Sequence, residues 1–445
     1  MTIQVRMQWA VAVTFSALLL AMLGVPATQV AAQTPPGLTV APGGTDTTTC
    51  GAATSPCKTI TQALANAPAG ATITVQSGTY PEMVVVSKQV ALLGQQATID
   101  ATGLVNGILL KASDSTVSGF TVRNAQGEGI VAMSVSNVTI SYNVVLNNDK
   151  GAHTNVTREC QDAGPVPGDC GEGLHLMSVA NSRIFNNDVE HNVGGLLVTD
   201  ELGPTHGNVI SNNTVSNNAE DCGITLASHN AQALSATGHR QPERGGVYSN
   251  RVDGNTVASN GDGGVGIFAP FPGASAYDNT VSNNSISGNG MPGIAVHSHA
   301  PNQDMNGNTF VNNTIAKNNV TGDTDAGDMQ TTGILLSSAV GPITGTTISG
   351  NQISDNAFGI WVTANVATTG FAGNTFTGVG AELQVQRPAR PAAPAPPRTG
   401  DGVGPGASSS FNPDLAVIGG FTLILGAGGI AATWMNARRR RSAPR

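Results

Sequence analysis

The 445-residue chain has few aromatic residues, few charged residues and a deficit of basic ones, and each shortage excludes something. Aromatic residues make up 4% of the sequence, which excludes a broad aromatic platform on the surface. Residues 33–414 include 14 basic and 28 acidic residues, so this segment has a net charge of −14 and lacks the basic face that phosphate binding requires. Nucleic acid is therefore excluded as a partner, while divalent cations and neutral or cation-bridged polymers stay open.

Cysteine is also scarce, with five in the chain, and this number suits an exported protein. Cys50 and Cys57 are close in sequence, as are Cys160 and Cys170, and each pair could staple a loop. That pairing leaves Cys222 free, and other connectivities remain open. The sequence has no nucleophile elbow, phosphate-binding P-loop, dinucleotide fingerprint or HExxH zinc motif. Several common kinds of catalytic site are thereby excluded.

One long apolar run lies at the amino terminus. Arg6 precedes the run Trp9–Leu23, and small residues follow up to Ala32. A charged start, an apolar middle and small residues at the end are typical of a secretory signal peptide. We therefore predict a signal peptide over residues 1–32, cleaved after Ala32.

A second apolar run lies near the carboxyl terminus. Residues 415–435 are uncharged and, at about 1.5 Å per residue, reach roughly 30 Å, enough to cross a bilayer. Arginines at 438–441 follow directly and should stay in the cytoplasm, which leaves the large middle segment outside. We predict a transmembrane helix over 415–435 and an Arg-rich cytoplasmic tail over 436–445.

Two short phrases recur along the middle of the chain. The first, Asn-x-Val/Ile-x-x-Asn, has tandem copies whose asparagines are five residues apart, as in Asn208, Asn213 and Asn218. The second is Gly-Ile/Leu-x-aliphatic, and its copies begin at Gly107, Gly129, Gly173, Gly195, Gly223, Gly266, Gly293, Gly333 and Gly359. The shortest spacing between copies is 22 residues and others are longer, which indicates a fixed structural unit with loops of variable length.

Within each phrase the apolar residues alternate with polar ones, as in a half-buried strand. Strands this short can form the sides of a coil, each side stacking about 4.8 Å from the same side one turn later. We predict an all-β, single-stranded parallel β-helix with Val215, Ile224, Ile267, Ile294 and Ile360 inside. The asparagines should sit at its corners, where they tolerate left-handed backbone, and their stacked amides should form a hydrogen-bonded ladder.

These repeats resemble the right-handed parallel β-helix superfamily, which has the pectin-lyase-like fold, and are similar to its NosD-type, or carbohydrate-binding and sugar-hydrolase, repeats. Residues 56–82 are similar to the start of such proteins, where a short amphipathic helix caps the coil before a strand ending in Gly-Thr-Tyr. The resemblance covers residues 38–386, and we assign the β-helix domain to 33–386. The resemblance specifies the fold. It does not specify an activity, because this fold carries lyases, hydrolases, epimerases, adhesins and non-enzymes.

The segment after the repeats has a resemblance of its own. A Pro/Ala/Gly-rich linker over 387–414 contains "PPRTG" (396–400) and precedes the apolar helix. This order is similar to a cell-wall sorting signal, in which a sortase would cleave between Thr399 and Gly400, although Pro396 replaces the usual leucine. The alternative is an extended linker ahead of a plain membrane anchor. Both alternatives predict an exported protein held at a bacterial cell surface.

Long loops leave the predicted coil at one corner, directly after the Gly-Ile strands, at residues 199–207, 227–246, 270–278 and 297–307. Loops that grow on one edge indicate a shared binding surface, because the core gains nothing from them. Six of the eight histidines belong to this edge: His175, His206, His229, His239, His297 and His299.

Counting from each glycine puts Glu201 and His229 at the same position of consecutive coils, and His299 at that position two coils later. We predict one ligand-binding wall and name its residues as candidate catalytic residues: Asp200, Glu201, His229, His297 and His299, with His175 at the margin.

Three functions compete for this wall. Carboxylates and imidazoles on neighbouring strands could perform acid–base chemistry on a polysaccharide, as a lyase or an epimerase. For a lyase, Arg240 and Arg244 in the longest loop are the available bases. The same set could hold a divalent metal, either copper as in a NosD-like accessory protein or calcium. The third function is a non-catalytic stalk or adhesin. In each case we expect a monomer.

A calcium loop is a weaker candidate. "GDTDAGD" (322–328) begins with alternating Asp323 and Asp325, as such a loop does. Asp328 then falls one residue late and the ligand at the far end is missing, so we predict a solvated loop.

Overall fold

The computed structural model describes residues 37–149, 171–323, 326–338 and 340–386. The predicted signal peptide, linker, sorting segment, transmembrane helix and tail lie outside these residues, as do Cys160 and Cys170. Within the described ranges, no helix is both long enough and apolar enough to span a membrane.

The described chain winds into a parallel β-helix. Ile224 pairs in parallel with Val265, which pairs with Ile294, which pairs with Ile334, so each strand is hydrogen-bonded to the strand one turn later. Each full turn contributes one strand to a second sheet and two short strands to a first sheet. A third, small sheet forms where the long loops return to the coil.

The strands are short because the repeat gives each side of the coil only a few residues. The first sheet contains Leu38–Val40, Ala71–Val75, Gly78–Tyr80, Val90–Asp100, Thr116–Arg123, Thr139–Ser141, Val144–Leu146, Arg183–Phe185, Asp188–Glu190, Val209–Ser211, Thr214–Ser216, Arg251–Asp253, Thr256–Ala258, Thr280–Ser282, Ser285–Ser287, Thr309–Val311, Thr314–Ala316, Ile343–Ser349, Gln352–Ser354, Val366–Gly370 and Thr375–Thr377. The second sheet contains Val84–Val86, Ile108–Leu110, Ile130–Met133, Glu172–Met177, Gly194–Thr199, Ile224–Ala227, Val265–Ala269, Ile294–Ser298, Thr332–Ser338, Phe358–Val362 and Ala381–Val385. The third sheet contains Thr205–His206, Val247–Tyr248 and Ala276–Tyr277.

The hydrophobic core fills the inside of the coil. The five residues predicted to lie there are Val215, Ile224, Ile267, Ile294 and Ile360, and each is at most 1% exposed. The alternation of apolar and polar residues therefore identified the inward side chains correctly. Burial of this continuous core is the main force that holds the turns together.

Asparagine ladders run along the coil, as the sequence predicted. In the column through Asn255, the amide nitrogen of Asn213 donates to Oδ1 of Asn255 at 3.0 Å, and that of Asn255 donates to Oδ1 of Asn284 at 3.0 Å. The columns are Asn143, Asn187, Asn213, Asn255, Asn284, Asn313, Asn351 and Asn374; Asn148, Asn192, Asn218, Asn260, Asn289, Asn318 and Asn356; and Asn208, Asn250, Asn279 and Asn308.

The predicted backbone conformation of the ladder asparagines was wrong. The left-handed residue is the one that precedes a ladder asparagine, for example Asn212 with φ 54° before Asn213 and Asn217 with φ 56° before Asn218. The left-handed residue turns the chain through the corner, and the next side chain then points inward. A ladder asparagine must point inward, because its amide bonds to the neighbouring coils.

The register of one coil also differs from the prediction. Val265 pairs with Ile224, so the residue equivalent to Gly223 is Gly264 rather than Gly266. Gly266 pairs instead with Thr225 in the middle of the strand. The Val-Gly-Ile sequence in this coil offers two apolar residues two positions apart, and only inter-coil pairing decides which of them starts the strand.

A short helix, Ile60–Asn66, closes the amino-terminal end of the coil, as the resemblance implied. Its buried face is formed by Ile60, Ala63 and Leu64. The hydroxyl of Thr59 caps the helix by accepting a hydrogen bond from the Gln62 N–H at 3.1 Å. Next to it, Cys50 and Cys57 form a disulfide, and Cys222 is free.

Candidate functional site

The loop edge is the corner of the coil at which the strands of the second sheet end. Along this edge Thr199 pairs with Ala227, which pairs with Phe268, which pairs with His297. Residues just beyond the strand ends on successive coils therefore lie above one another, about 4.8 Å apart. The longest loop on this edge, residues 228–246, is called the long loop.

Asp200 follows its strand directly and is fully buried. Its Oδ1 accepts hydrogen bonds from the backbone N–H groups of His229 at 2.6 Å and Asn230 at 3.1 Å, where the long loop begins. Its Oδ2 accepts from the Ser228 hydroxyl at 2.9 Å and from the Gly246 N–H, where the long loop ends. Burial raises the pKa of Asp200 to about 6, so the carboxylate is mostly ionised at neutral pH and accepts from all four donors. Asp200 thus fastens both ends of the long loop.

Glu201 and His229 form a buried pair across consecutive coils, at the matching positions that the sequence predicted. Oε1 of Glu201 lies 2.7 Å from Nδ1 of His229, and the two side chains are 1% and 3% exposed. Burial by itself would raise the pKa of Glu201, but the hydrogen bond and the charge of His229 hold it at about 2. The two groups neutralise each other beneath the surface.

His175 lies one coil earlier and is fully buried. Its Nδ1 is 2.7 Å from Oε1 of Glu128, and its Nε2 is 2.8 Å from the hydroxyl of Thr199. Both ring nitrogens are therefore engaged and the orientation of the ring is fixed. Glu128 was not among the sequence candidates, and it belongs to the coil that precedes His175.

His297 and His299 lie further along the loop edge. Nε2 of His297 is 2.9 Å from Oδ2 of Asp323, and the rings of His297 and His299 have centroids 5.4 Å apart. The ring of His299 also meets that of Phe268 edge to face, with centroids 5.0 Å apart. Burial, with a smaller contribution from His297, lowers the pKa of His299 to about 3, so its ring is neutral at pH 7. Its Nε2 is buried and has no hydrogen-bond partner in the described part of the chain.

The six predicted residues thus fall into two groups. Asp200, Glu201 and His229 lie on consecutive coils, and His175 is joined to them through Thr199 on the same strand. His297 and His299 form the other group, with Asp323. Phe268 occupies the register position between Ala227 and His297, so it separates the two groups along the edge.

The loop around Asp323 is solvated only in part: Gly327 and Met329 are exposed, as predicted, but the two aspartates are not. Asp323 and Asp328 are both fully buried, and their backbones pair with each other. Burial raises the pKa of Asp328. The physical reason for the difference is the neighbouring coil, because Asp323 packs against the His297 imidazole. Asp325 lies outside the described residues.

The described residues also allow a test of the predicted metal. Among them, one trio of imidazole, thiolate or carboxylate ligand atoms lies within 4.8 Å, and it consists of Asp46, Cys50 and Cys57. Two of its members are joined in the disulfide and cannot act as thiolate ligands. Among the described residues, the histidines and carboxylates of the loop edge form no such trio.

An aromatic ladder, formed by His206, Tyr248 and Tyr277, lies where the loops return to the third sheet. The rings of His206 and Tyr248 are 5.0 Å apart at 7°, and those of Tyr248 and Tyr277 are 5.0 Å apart at 10°. His206 and Tyr248 are half-buried, and Tyr277 is buried. Three consecutive coils therefore contribute one parallel ring each to the loop edge.

Arg240 of the long loop covers one end of the aromatic ladder. Its guanidinium carbon lies 3.7 Å from the centroid of the Tyr277 ring. Nη1 lies 2.6 Å from Oδ2 of Asp278, and Nε lies 2.6 Å from Oδ2 of Asp304. Burial would lower the pKa of Arg240, but the two carboxylates outweigh it and the pKa is raised. A doubly paired guanidinium of this kind is unsuited to act as a base.

Sequence reasoning included His206 but missed the two tyrosines of the ladder. A signal was present, because each ladder ring stands two residues before the first asparagine of its coil: His206 before Asn208, Tyr248 before Asn250 and Tyr277 before Asn279. A position-by-position alignment of the coils would have revealed it.

Three family models match separate parts of the chain. Residues 106–239 match "Right handed beta helix region", and residues 274–384 match "Periplasmic copper-binding protein (NosD)". Residues 42–100 match a family described as a protein of unknown function. Among curated proteins, none matches the chain.

Solved structures with a similar fold include an epimerase, a pectate lyase and a tailspike protein in complex with a pentasaccharide. The A-module of the Azotobacter vinelandii mannuronan C-5 epimerase AlgE4 is 17% identical, with 71% of this chain and 89% of that chain covered and a TM-score of 0.44. Pectate lyase Pel9A is 16% identical, with coverages of 76% and 79% and a TM-score of 0.45. A tailspike protein mutant of E. coli bacteriophage HK620, in complex with a pentasaccharide, is 12% identical, with coverages of 71% and 55% and a TM-score of 0.47. The parallel coil and the matching family models together support a right-handed parallel β-helix as the fold of this chain.

Proposed function

We propose that this chain is an exported, surface-anchored protein that binds an extended polysaccharide along its loop edge. The observation that carries the proposal is the aromatic ladder. Its rings recur once per coil, 5.0 Å apart, which is similar to the advance of one sugar unit in an extended glycan. The ring faces are stacked on one another, so a sugar would meet the polar edges of the rings, where it can form hydrogen bonds. Repeat proteins commonly bind extended ligands along such a surface.

Burial of the predicted catalytic residues favours binding over chemistry. A lyase or an epimerase needs an acid or base that its substrate can reach. Glu201 and His229 are 1% and 3% exposed and paired with each other, while Asp200 is occupied by four donors. Arg240 is paired twice. We therefore propose that these groups position the loops that display the aromatic ladder.

A copper-binding function receives less support. The match to the NosD family, described as copper-binding, favours it. The neutral His299 ring beside His297 also favours it, because a metal needs neutral imidazole. The donor set lacks a third converging ligand in the described residues. A chain titrated with copper should consequently bind it weakly, without a change at the His297 and His299 ring resonances.

For the ends of the chain we propose the organisation that the sequence predicts. Residues 1–32 direct export, 33–386 form the β-helix domain, 387–414 form a linker, and 415–435 anchor the chain ahead of the tail at 436–445. The Cys50–Cys57 disulfide is compatible with an exported protein. Sortase cleavage at Thr399 would replace the membrane anchor by a link to the cell wall. We propose that the protein acts as a monomer.

The test compares two tyrosines on different faces. Tyr248→Ala removes a ladder ring, whereas Tyr142→Ala removes a 60% exposed tyrosine that lies on the first sheet, away from the loop edge. In affinity electrophoresis with a panel of neutral and acidic polysaccharides, Tyr248→Ala should lose retardation and Tyr142→Ala should keep it. Loss of one stacked ring should weaken binding roughly 5- to 30-fold, or about 1–2 kcal/mol.

Three outcomes would count against the proposal. If neither variant changes binding, or if no polysaccharide binds the unaltered chain, the aromatic ladder is not a glycan site. If the chain releases products that absorb ultraviolet light as unsaturated sugars, it is a lyase and the binding-only reading is wrong.

A further inference from the structure

This inference rests on the proposed glycan-binding function and names the class of glycan. We propose that the loop edge selects an uncharged polysaccharide and disfavours one that bears carboxylates. The charges around the aromatic ladder carry this proposal, because they are already paired within the protein or are negative.

Arg240 is the cation nearest to the ladder rings, since its guanidinium lies over Tyr277. Its Nη1 and Nε each face a carboxylate oxygen at 2.6 Å, from Asp278 and Asp304. The side chain is 36% exposed and Asp278 is 46% exposed. A glycan approaching here would meet a carboxylate of the protein as readily as the guanidinium. A uronate would have to displace Asp278 to reach the cation.

The other charges near the ladder do not reverse this balance. Burial raises the pKa of Tyr248, and the negative charge of the nearby Glu243 raises it further. Arg244 is exposed on the same loop. Even with Arg244 counted, two arginines stand against three carboxylates, those of Glu243, Asp278 and Asp304. The aromatic ladder consequently lies in a weakly negative field.

The hydroxyl groups of a neutral glycan avoid this repulsion and can still bond to the polar ring edges. A uronate beside Tyr248 or Tyr277 would meet one of these carboxylates. Because these charges are partly exposed and screened by solvent, we expect a preference of roughly fivefold to tenfold for the uncharged polymer rather than complete exclusion.

The experiment uses polymers that differ only in charge. The unaltered full chain is titrated with polygalacturonate and with its fully methyl-esterified form, and with a second pair formed by alginate and carboxyl-reduced alginate. Neutral galactan, mannan and glucan complete the panel. We expect the uncharged member of a pair to bind more tightly at low salt, and the difference to shrink as salt increases.

A variant tests the mechanism. Asp278→Asn removes one carboxylate that holds Arg240, and it should raise the affinity for the acidic member severalfold while leaving the neutral member unchanged. Asparagine tolerates the left-handed backbone of this position, where φ is 53°. The matched control is Asp355→Asn, a 53% exposed aspartate at a left-handed corner of the first sheet, beside Lys317. This control should change neither affinity.

The outcomes separate this inference from the proposed function. If the acidic member binds as well as or better than the neutral one and Tyr248→Ala abolishes both, the charge inference is wrong and the glycan site stands. If Asp278→Asn fails to improve binding of the acidic member, the role of the Arg240 pairing is refuted. If no polymer of the panel binds, both the glycan site and its selectivity are rejected.

Discussion

Removing one asparagine from the middle of a ladder should cost much of the stability of the coil. Asn255 is 1% exposed, and its side chain takes part in four hydrogen bonds. Its Nδ2 donates to the carbonyl of Ile210 at 2.9 Å and to Oδ1 of Asn284 at 3.0 Å. Its Oδ1 accepts from the backbone N–H of Asn213 at 2.9 Å and from Nδ2 of Asn213 at 3.0 Å. Asn255→Ala removes all four bonds and leaves two buried donors of Asn213 without this acceptor.

The magnitude follows from these contacts. A typical hydrogen bond contributes about 1 kcal/mol, and a buried donor left unsatisfied costs about 1–3 kcal/mol. Two lost bonds at about 1 kcal/mol each and two stranded donors at about 1–3 kcal/mol each give a loss of about 4–8 kcal/mol in the free energy of unfolding. Such a loss is at the upper end of what a single substitution produces.

The matched control is Asn374→Ala in the last coil of the same column. Asn374 also makes four side-chain hydrogen bonds, to Asn351 and to the carbonyls of Ile348 and Phe371. It is half-buried, so water can replace part of what is lost. We expect this variant to lose less than half as much stability as Asn255→Ala.

Urea denaturation of both variants, followed by circular dichroism of the β signal, measures the difference. Equal losses in the two variants would show that burial does not decide the cost. A loss below about 1 kcal/mol in Asn255→Ala would show that the asparagine ladder contributes little to stability and that the apolar core alone holds the turns together.

Three further predictions concern the loop edge and the anchor. Asp200→Asn should destabilise the chain by about 2–4 kcal/mol, because an amide donor replaces an acceptor opposite the backbone N–H groups. Hydrogen exchange should accelerate at the amides of His229, Asn230 and Gly246, and unchanged protection of these amides would contradict the role of Asp200 in holding the long loop. The folded pKa of His299, about 3, lies below its unfolded value of 6.5, so the unfolded chain binds the extra proton between these values and stability falls as pH decreases through this window. At pH 5 the loss of stability amounts to about 2 kcal/mol. His299→Leu should flatten the dependence of the urea midpoint on pH, whereas His191→Asn, at an exposed histidine, should leave this dependence steep. Deletion of residues 415–445 should release the chain into the medium, and its retention on cells would refute the proposed anchor.

The sequence by itself determined the coil. The alternation of Val and Ile with polar residues is local, and it fixed which side chains enter the core, including Ile294 and Ile360. The asparagine spacing was equally informative, because stacking identical coils puts identical residues over one another. It also put Glu201 and His229 at matching positions, where they meet at 2.7 Å.

Only the tertiary structure decided how the edge residues are used. The partners of His175 and His297 are Glu128, 47 residues before His175, and Asp323, on the turn after His297. Loop lengths between coils vary, so no local pattern predicts these pairings or the burial that follows from them. The same holds for Gly264, whose role at the strand start depends on pairing with the coil before it.

The aromatic ladder shows which features the local sequence predicts and which depend on tertiary contacts. The sequence contains Tyr248 and Tyr277 two residues before an asparagine, yet nothing local says that their rings will stack or that Arg240 will cover them. Stacking requires equal spacing of three loop returns, and this spacing is set by hydrogen bonds such as that from the Ser275 N–H to the Ser228 hydroxyl, across 47 residues. A repeat encodes what every coil has in common, whereas contacts between loops of unequal length form only when the coils have stacked.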